Sequence, residues 1–136
     1  MKIRDVTEED LSLCQTLLRI PEFTLADGSY PDVCFLKKYL EPDYFLAAEQ
    51  NGEIVGCIVG ERLKANYTVV WYLAVREDQR GNGLGKGLLA EYERRAKLNG
   101  LEWVFLQAPL TFSETVEWYR RCYSEGRPLI EFTKRL

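Results

Sequence analysis

Apolar and polar positions change period several times along the 136-residue chain, and each change marks an element boundary. Lys2 to Val6 alternates enough for a first strand. Thr7 with Asp10 then gives a capping-box-like start to a helix whose apolar positions are Leu11, Cys14, Leu17 and Leu18. Pro21 to Tyr30 reads as a loop, after which Pro31 or Asp32 opens a short helix with Val33, Leu36 and Leu40 on one face, ended by Glu41-Pro42. Tyr44 to Gln50 and Glu53 to Leu63 are strand-like and are joined by Asn51-Gly52, a hairpin signal because both turn residues tolerate positive φ. That pair is expected to be antiparallel. Tyr67 to Val75 is apolar almost without a break, which predicts a central strand buried on both faces.

Beyond a glycine-rich stretch, Leu84, Leu88, Leu89, Tyr92 and Ala96 recur at helical spacing up to a stop at Gly100. Leu101 to Leu106 reads as another buried strand, so the order strand, helix, strand implies a parallel crossover. A last helix is expected from Ser113 to Cys122 and a final strand from Pro128 to Lys134. The class is a mixed α/β fold, and at this length residues 1–136 are expected to form one domain.

Composition narrows the chemistry. A net charge of −3 and a pI of about 5.1 give no electrostatic reason to bind nucleic acid, and weakly favour a cationic partner. The opening Met-Lys-Ile-Arg-Asp has no signal-peptide run and no stretch is long enough to span a membrane, so residence in the cytoplasm is expected. Cys14, Cys34, Cys57 and Cys122 form no C-x-x-C, and with no histidine to complete a metal site they read as small buried hydrophobes. No metal is expected. The absence of histidine also excludes Ser-His-Asp and Cys-His mechanisms.

Gly81, Gly83, Gly85 and Gly87 alternate where a strand must turn into a helix. Glycines let amides converge on a ligand, and a helix N-terminus adds about half a positive charge, so the fitting occupant is a phosphate or pyrophosphate. A flexible glycine-rich turn is the plain alternative. The Walker grammar fails, because Gly85-Lys86 is followed by Gly87 where Ser or Thr is needed. Gly85 to Ala90 matches a dinucleotide fingerprint in letters, but its strand ends ten residues earlier and Glu102 opens a strand instead of ending one. A third grammar, [QR]-x-x-G-x-[GA], is met by Arg80-Gly81-Asn82-Gly83-Leu84-Gly85.

With Trp-Tyr-Leu-Ala-Val-Arg-Glu-Asp before that hexapeptide and Leu-Gly-Lys-Gly-Leu-Leu-Ala-Glu-Tyr-Glu-Arg-Arg-Ala around its end, the sequence resembles the GNAT family of N-acetyltransferases over nearly its whole length. The resemblance implies a mostly antiparallel mixed sheet of six or seven strands flanked by about four helices. It also implies transfer of an acetyl group from acetyl-CoA to a primary amine, by direct transfer in a ternary complex. The amides of Gly81, Asn82, Gly83, Leu84, Gly85 and Lys86 would bind the coenzyme A pyrophosphate and the main chain of Leu73, Ala74 and Val75 the pantetheine arm. Arg76, Gln79 and Arg80 flank the loop within reach of phosphates, or else form a solvated polar turn.

In the family a tyrosine on the last helix commonly protonates the leaving sulfur. The matching stretch Glu117-Trp118-Tyr119-Arg120-Arg121 makes Tyr119 the candidate acid, against the alternative of a packing aromatic. Cys122-Tyr123 stands where the family has Gly-Phe, one residue early, and Phe112-Ser113 replaces a frequent asparagine. The acceptor side is therefore expected to be reshaped, and a non-catalytic acyl-CoA-binding module stays open as a second reading. The tail leaves room only for an abbreviated closing hairpin.

The central strand carries no acid, so a base would come from the hairpin, Glu61 before Glu49. Deprotonating a lysine-like amine at pH 7 costs about 4 to 5 kcal/mol and an α-amine about 1, which favours a low-pKa acceptor. The loop from Pro21 to Asp32 would border the acceptor cleft with Glu22, Phe23, Asp27, Tyr30 and Asp32, a set suited to a cationic amine. It is also an ordinary acidic surface loop. The chain is expected to act as a monomer or homodimer.

Overall fold

The computed structural model describes residues 1–123 and 126–136. Its elements follow the order β1 (Lys2–Asp5), α1 (Leu11–Leu17), α2 (Val33–Lys37), β2 (Phe45–Gln50), β3 (Glu53–Arg62), β4 (Tyr67–Val75), α3 (Leu84–Leu98), β5 (Trp103–Leu106) and α4 (Ser113–Cys122). The strands form one sheet in the order β1-β2-β3-β4-β5, antiparallel except for the parallel β4–β5 pair.

β2 is apolar because both its faces are covered. Leu46 and Ala48 pack toward α3 with Tyr44, Ile58, Leu88 and Tyr92. Phe45 and Ala47 pack toward α1 and α2 with Leu11, Cys14, Leu18 and Leu36. Between β2 and β3 the Asn51-Gly52 turn has φ of 52° and 79°, the positive values its hairpin type requires. Ahead of α1, Asp10 accepts from the Thr7 N–H (2.8 Å) and pairs with Arg4 (2.7 Å), whose other arm reaches Glu49 (2.8 Å). This ties β1 to the start of α1 and to β2, and the Arg4 guanidinium holds the Asp10 carboxyl down at about 2.

Three expectations need correction. Among the described residues the sheet has five strands, because 126–136 adopt no strand and lie exposed. A strand exists only where a second strand satisfies its amides, and residues 128–134 have none. β4 and β5 are also covered less than their composition suggested: Trp71, Trp103 and Phe105 are about half exposed, since α1 and α2 do not extend over this end of the sheet. Finally, Cys14 and Cys57 are buried in contact, but Cys34 is exposed on α2 and Cys122 is only half-buried.

The sheet changes character at a bulge. Val59 pairs with Tyr72 but Gly60 pairs with Val70, so Trp71 is one residue too many for β3. The bulge is held from α3. The buried Tyr92 hydroxyl lies 2.6 Å from Thr68 Oγ1 and donates to the Val69 carbonyl (3.1 Å), while Thr68 donates to the Glu61 carbonyl (2.8 Å). Gly60 makes room for that hydroxyl, because a Cβ there would collide with Tyr92 Oη and the Val69 carbonyl. Gly60→Ala is therefore expected to lose about 2 to 3 kcal/mol or more in urea unfolding, the cost of overpacking a site with no room to relax, and Tyr92→Phe about 1 to 2 kcal/mol for the unpaired buried groups.

Candidate active site

β4 and β5 pair only from Tyr67–Trp103 to Val70–Leu106. β4 runs on for another five residues to Val75, and among the described residues no strand pairs with that side of Trp71–Val75. The edge of Leu73, Ala74 and Val75 is thus a strip of main chain available to an extended ligand. One group on it is engaged, since Arg80 Nε donates to the Val75 carbonyl (3.0 Å).

The glycine loop sits at the end of this strip. After a short 3-10 turn over Glu77–Gln79, Gly81 and Gly83 take φ of 81° and 80°, and Gly83 caps α3 in the left-handed region. The first helical bond runs from Gly87 N to Gly83 O (2.9 Å), so the amides of Leu84, Gly85 and Lys86 have no helical acceptor. A Cβ on Gly81 or Gly83 would meet nothing within 4 Å, which leaves open space over the loop. Free amides, an α-helix N-terminus and an open approach fit a pyrophosphate. Gln79 lies in the approach turn and Asn82 and Lys86 are exposed beside the loop. Arg76 is occupied elsewhere, paired with Asp78 (2.6 Å) and Glu53 (3.0 Å).

α4 closes the other side. A Cβ on Gly85 would stand 3.3 Å from the Trp118 indole, so the glycine lets α4 meet the start of α3. Tyr119 is half-buried next to Trp118 (ring centroids 5.0 Å) and Tyr123 (6.5 Å). Burial, and then the Glu22 carboxylate, raise its pKa, so its phenol holds a proton at neutral pH. Glu22 is brought to α4 by Thr115, whose hydroxyl lies 3.0 Å from both carboxylate oxygens.

The residues expected on the acceptor side divide. Glu22 is beside Tyr119, and Phe23 packs edge-on against Tyr72 (5.2 Å), which also contacts Phe35 (6.3 Å). Burial and Tyr39 push the Tyr72 phenol up to about 12. The others serve the loop itself. Asp27 accepts from Ser29 N and Oγ (3.0 and 2.6 Å), Asp32 caps α2 through the Phe35 N–H (2.8 Å), and Tyr30 lies under the Arg19 guanidinium (5.7 Å). Glu61 accepts the Trp71 indole N–H (2.9 Å) at the bulge, whereas Glu49 is paired with Arg4 at the β1 side of the sheet. Tyr72, Trp71 and Thr115 escaped the sequence reading. No local signal marked the bulge, because Tyr67 to Val75 is apolar almost throughout and has no alternation for an extra residue to interrupt.

Residues 11–128 match the Acetyltransferase (GNAT) family. An acetyltransferase of Photorhabdus laumondii subsp. laumondii is 30% identical over 139 residues, spanning 100% of this chain and 96% of the relative. Among solved structures, the aminoglycoside acetyltransferase meta-AAC0020 from an uncultured soil metagenomic sample, in complex with sisomicin, superposes with a TM-score of 0.78 at 26% identity, over 99% of this chain and 95% of that one. Rv2747 from Mycobacterium tuberculosis, in complex with CoA, shares the fold at a TM-score of 0.74 and 21% identity, over 96% and 76% of the two chains.

The chain belongs to the GNAT acetyltransferase family, and is an acetyl-CoA-dependent N-acyltransferase whose cosubstrate is acetyl-CoA. Among the described residues no helix is long and apolar enough to cross a membrane.

Two glycines separate backbone strain from ligand binding. Gly52 and Gly83 have φ of 79° and 80° and open space around a Cβ, so alanine at either costs the same left-handed penalty of about 1 to 2 kcal/mol. By calorimetric titration, Gly83→Ala is expected to weaken coenzyme A binding tenfold or more and Gly52→Ala to leave it unchanged.

Proposed function

We propose that this enzyme acetylates a primary amine of a small cationic molecule, by direct transfer with donor and acceptor bound together. The observation that carries this reading is the Glu22–Thr115–Tyr119 arrangement, in which a carboxylate from the loop between α1 and α2 is held against α4 beside a protonated phenol. Support for the acceptor class comes from the aromatic surface of Phe23 and Tyr72 beside Glu22, and from the sisomicin-bound relative.

When bound, acetyl-CoA supplies an acyl group activated as a thioester. The chain's residues then have separate tasks. The free edge of Leu73–Val75 orients the donor, and the amides of 81–86 hold its pyrophosphate. As the amine nitrogen bonds to the acyl carbon and the carbon–sulfur bond breaks, Tyr119 gives its proton to the sulfur. Glu22 holds the ammonium form of the acceptor by charge. Glu61, oriented by the Trp71 indole, takes the amine's proton through water.

Thiol release from acetyl-CoA should appear with aminoglycosides or polyamines in a panel that also contains amino acids and N-terminal peptides. Thiol release with amino acids or N-terminal peptides and none with aminoglycosides or polyamines would overturn the reading. Tyr119→Phe is expected to lower kcat ten- to a hundredfold with little change in KM for acetyl-CoA. Because the Tyr119 pKa is raised, its proton stays available above pH 10, so kcat should rise with pH as the amine deprotonates and show no fall between pH 7 and about 10. Glu22→Gln should raise KM for cationic amines about tenfold and leave neutral amines unaffected; equal effects on both would remove Glu22 from acceptor binding.

A further inference from the structure

Of the acids expected around the acceptor, two keep a carboxylate for a ligand. Asp27 and Asp32 are taken up by Ser29 and by the first turn of α2. Glu22 and Glu61 each meet one side-chain donor among the described residues, the Thr115 hydroxyl and the Trp71 indole N–H. A carboxylate offers about four acceptor positions, so both retain capacity for an ammonium group.

Aromatic rings lie between them. Phe23 follows Glu22 in the chain and packs edge-on against Tyr72, with ring centroids 5.2 Å apart. Tyr72 in turn meets Phe35 at 6.3 Å, and Phe35 meets Tyr39, just beyond α2, at 5.4 Å. Glu61 stands at the far end of this row. It is bonded to Trp71, the residue before Tyr72 at the bulge, and burial, followed by the Glu61 charge, raises the Tyr39 pKa. Phe23, Phe35, Tyr39 and Tyr72 are each only partly buried, so ring surface stays open along the row.

A row of neutral rings with a carboxylate near each end fits a ligand of the inverse pattern, cationic at the ends and hydrocarbon between. Methylenes leave water against the rings, and an ammonium beside a ring is attracted by its quadrupole. An aminoglycoside fits less well, because the hydroxyls between its amino groups would leave water against rings whose polar groups are the two phenols of Tyr39 and Tyr72.

We propose, resting on the cationic acceptor proposed above, that the acceptor is a linear aliphatic diamine or polyamine. Glu22 holds the ammonium that does not react, and Phe23 and Tyr72 cover the methylenes. The other nitrogen, neutral, bonds to the acyl carbon as the carbon–sulfur bond breaks; its proton passes to Glu61 through water while Tyr119 protonates the sulfur, and solvent exchange then resets both groups. Chain length matters in this arrangement. At about 1.5 Å per bond and about 111° between bonds, an extended chain advances about 1.25 Å per bond, so four methylenes set the nitrogens about 6 Å apart and two set them about 4 Å apart. The longer chain clears the 5.2 Å between the Phe23 and Tyr72 rings, and the shorter one does not.

The test is steady-state thiol release from acetyl-CoA on ethylenediamine, putrescine, cadaverine, butylamine and sisomicin, with amino acids and N-terminal peptides alongside. kcat/KM is expected to rise tenfold or more from ethylenediamine to putrescine or cadaverine, and putrescine should exceed both butylamine and sisomicin by a similar factor. In Glu22→Gln the advantage of putrescine over butylamine should disappear, a ratio that is unaffected by any loss of folded enzyme. Equal rates on putrescine and butylamine, an advantage that survives Glu22→Gln, or turnover of sisomicin without turnover of diamines overturns this inference and leaves the wider reading of a cationic acceptor standing. Turnover confined to amino acids or peptides overturns both.

Discussion

The buried hydroxyl of Tyr92 fixes the geometry on which the rest of the site depends. It reaches from the helix that follows the glycine loop to the Val69 carbonyl and Thr68 hydroxyl, at the last residues where β4 and β5 run together. Past that point the bulge at Trp71 changes the direction of β4, and its main chain loses β5 as a partner. The helix whose first amides lack helical acceptors is therefore bonded to the place where the strand becomes free. Burial raises the Tyr92 pKa, so the group stays a neutral donor and the register does not respond to physiological pH.

In the site proposed above, the two halves are made of different material. The donor side is mostly backbone: a free strand edge, left-handed glycines and the first amides of α3. Such a surface recognises phosphate and amide groups with little regard to side chains. The acceptor side is built from side chains that come from a loop, a bulge and a helix remote in sequence, namely Glu22, Phe23, Trp71, Tyr72 and Tyr119. One half is made by main-chain geometry, and the other by the identity of particular side chains.

This division explains what was legible in the sequence. β4 and α4 lie at their expected bounds, and the Asn51-Gly52 turn and the loop at Gly81–Gly83 take the positive φ values that glycine and asparagine announce. Those features are local, and one chain segment encodes each. Glu22 was named for its charge, but its meeting with Thr115 on α4 spans most of the chain and has no local signal. Asp27 and Asp32 carry the same charge in the same loop, and a turn and a helix cap use them instead. The final strand failed for a related reason: the composition of residues 128–134 suits a strand, and a pairing partner is not written beside it.

α4 bears contacts to both halves within one turn. Trp118 rests on Gly85 at the donor loop, and Thr115, three residues earlier, holds Glu22 at the acceptor loop. These positions are only about 4.5 Å apart along the helix axis, so the helix acts as a short lever with a contact on each arm. A tilt that opens the space over Gly85 displaces the carboxylate bound to Thr115. One turn of a ten-residue helix therefore fixes the spacing between the glycine loop and the Glu22 carboxylate.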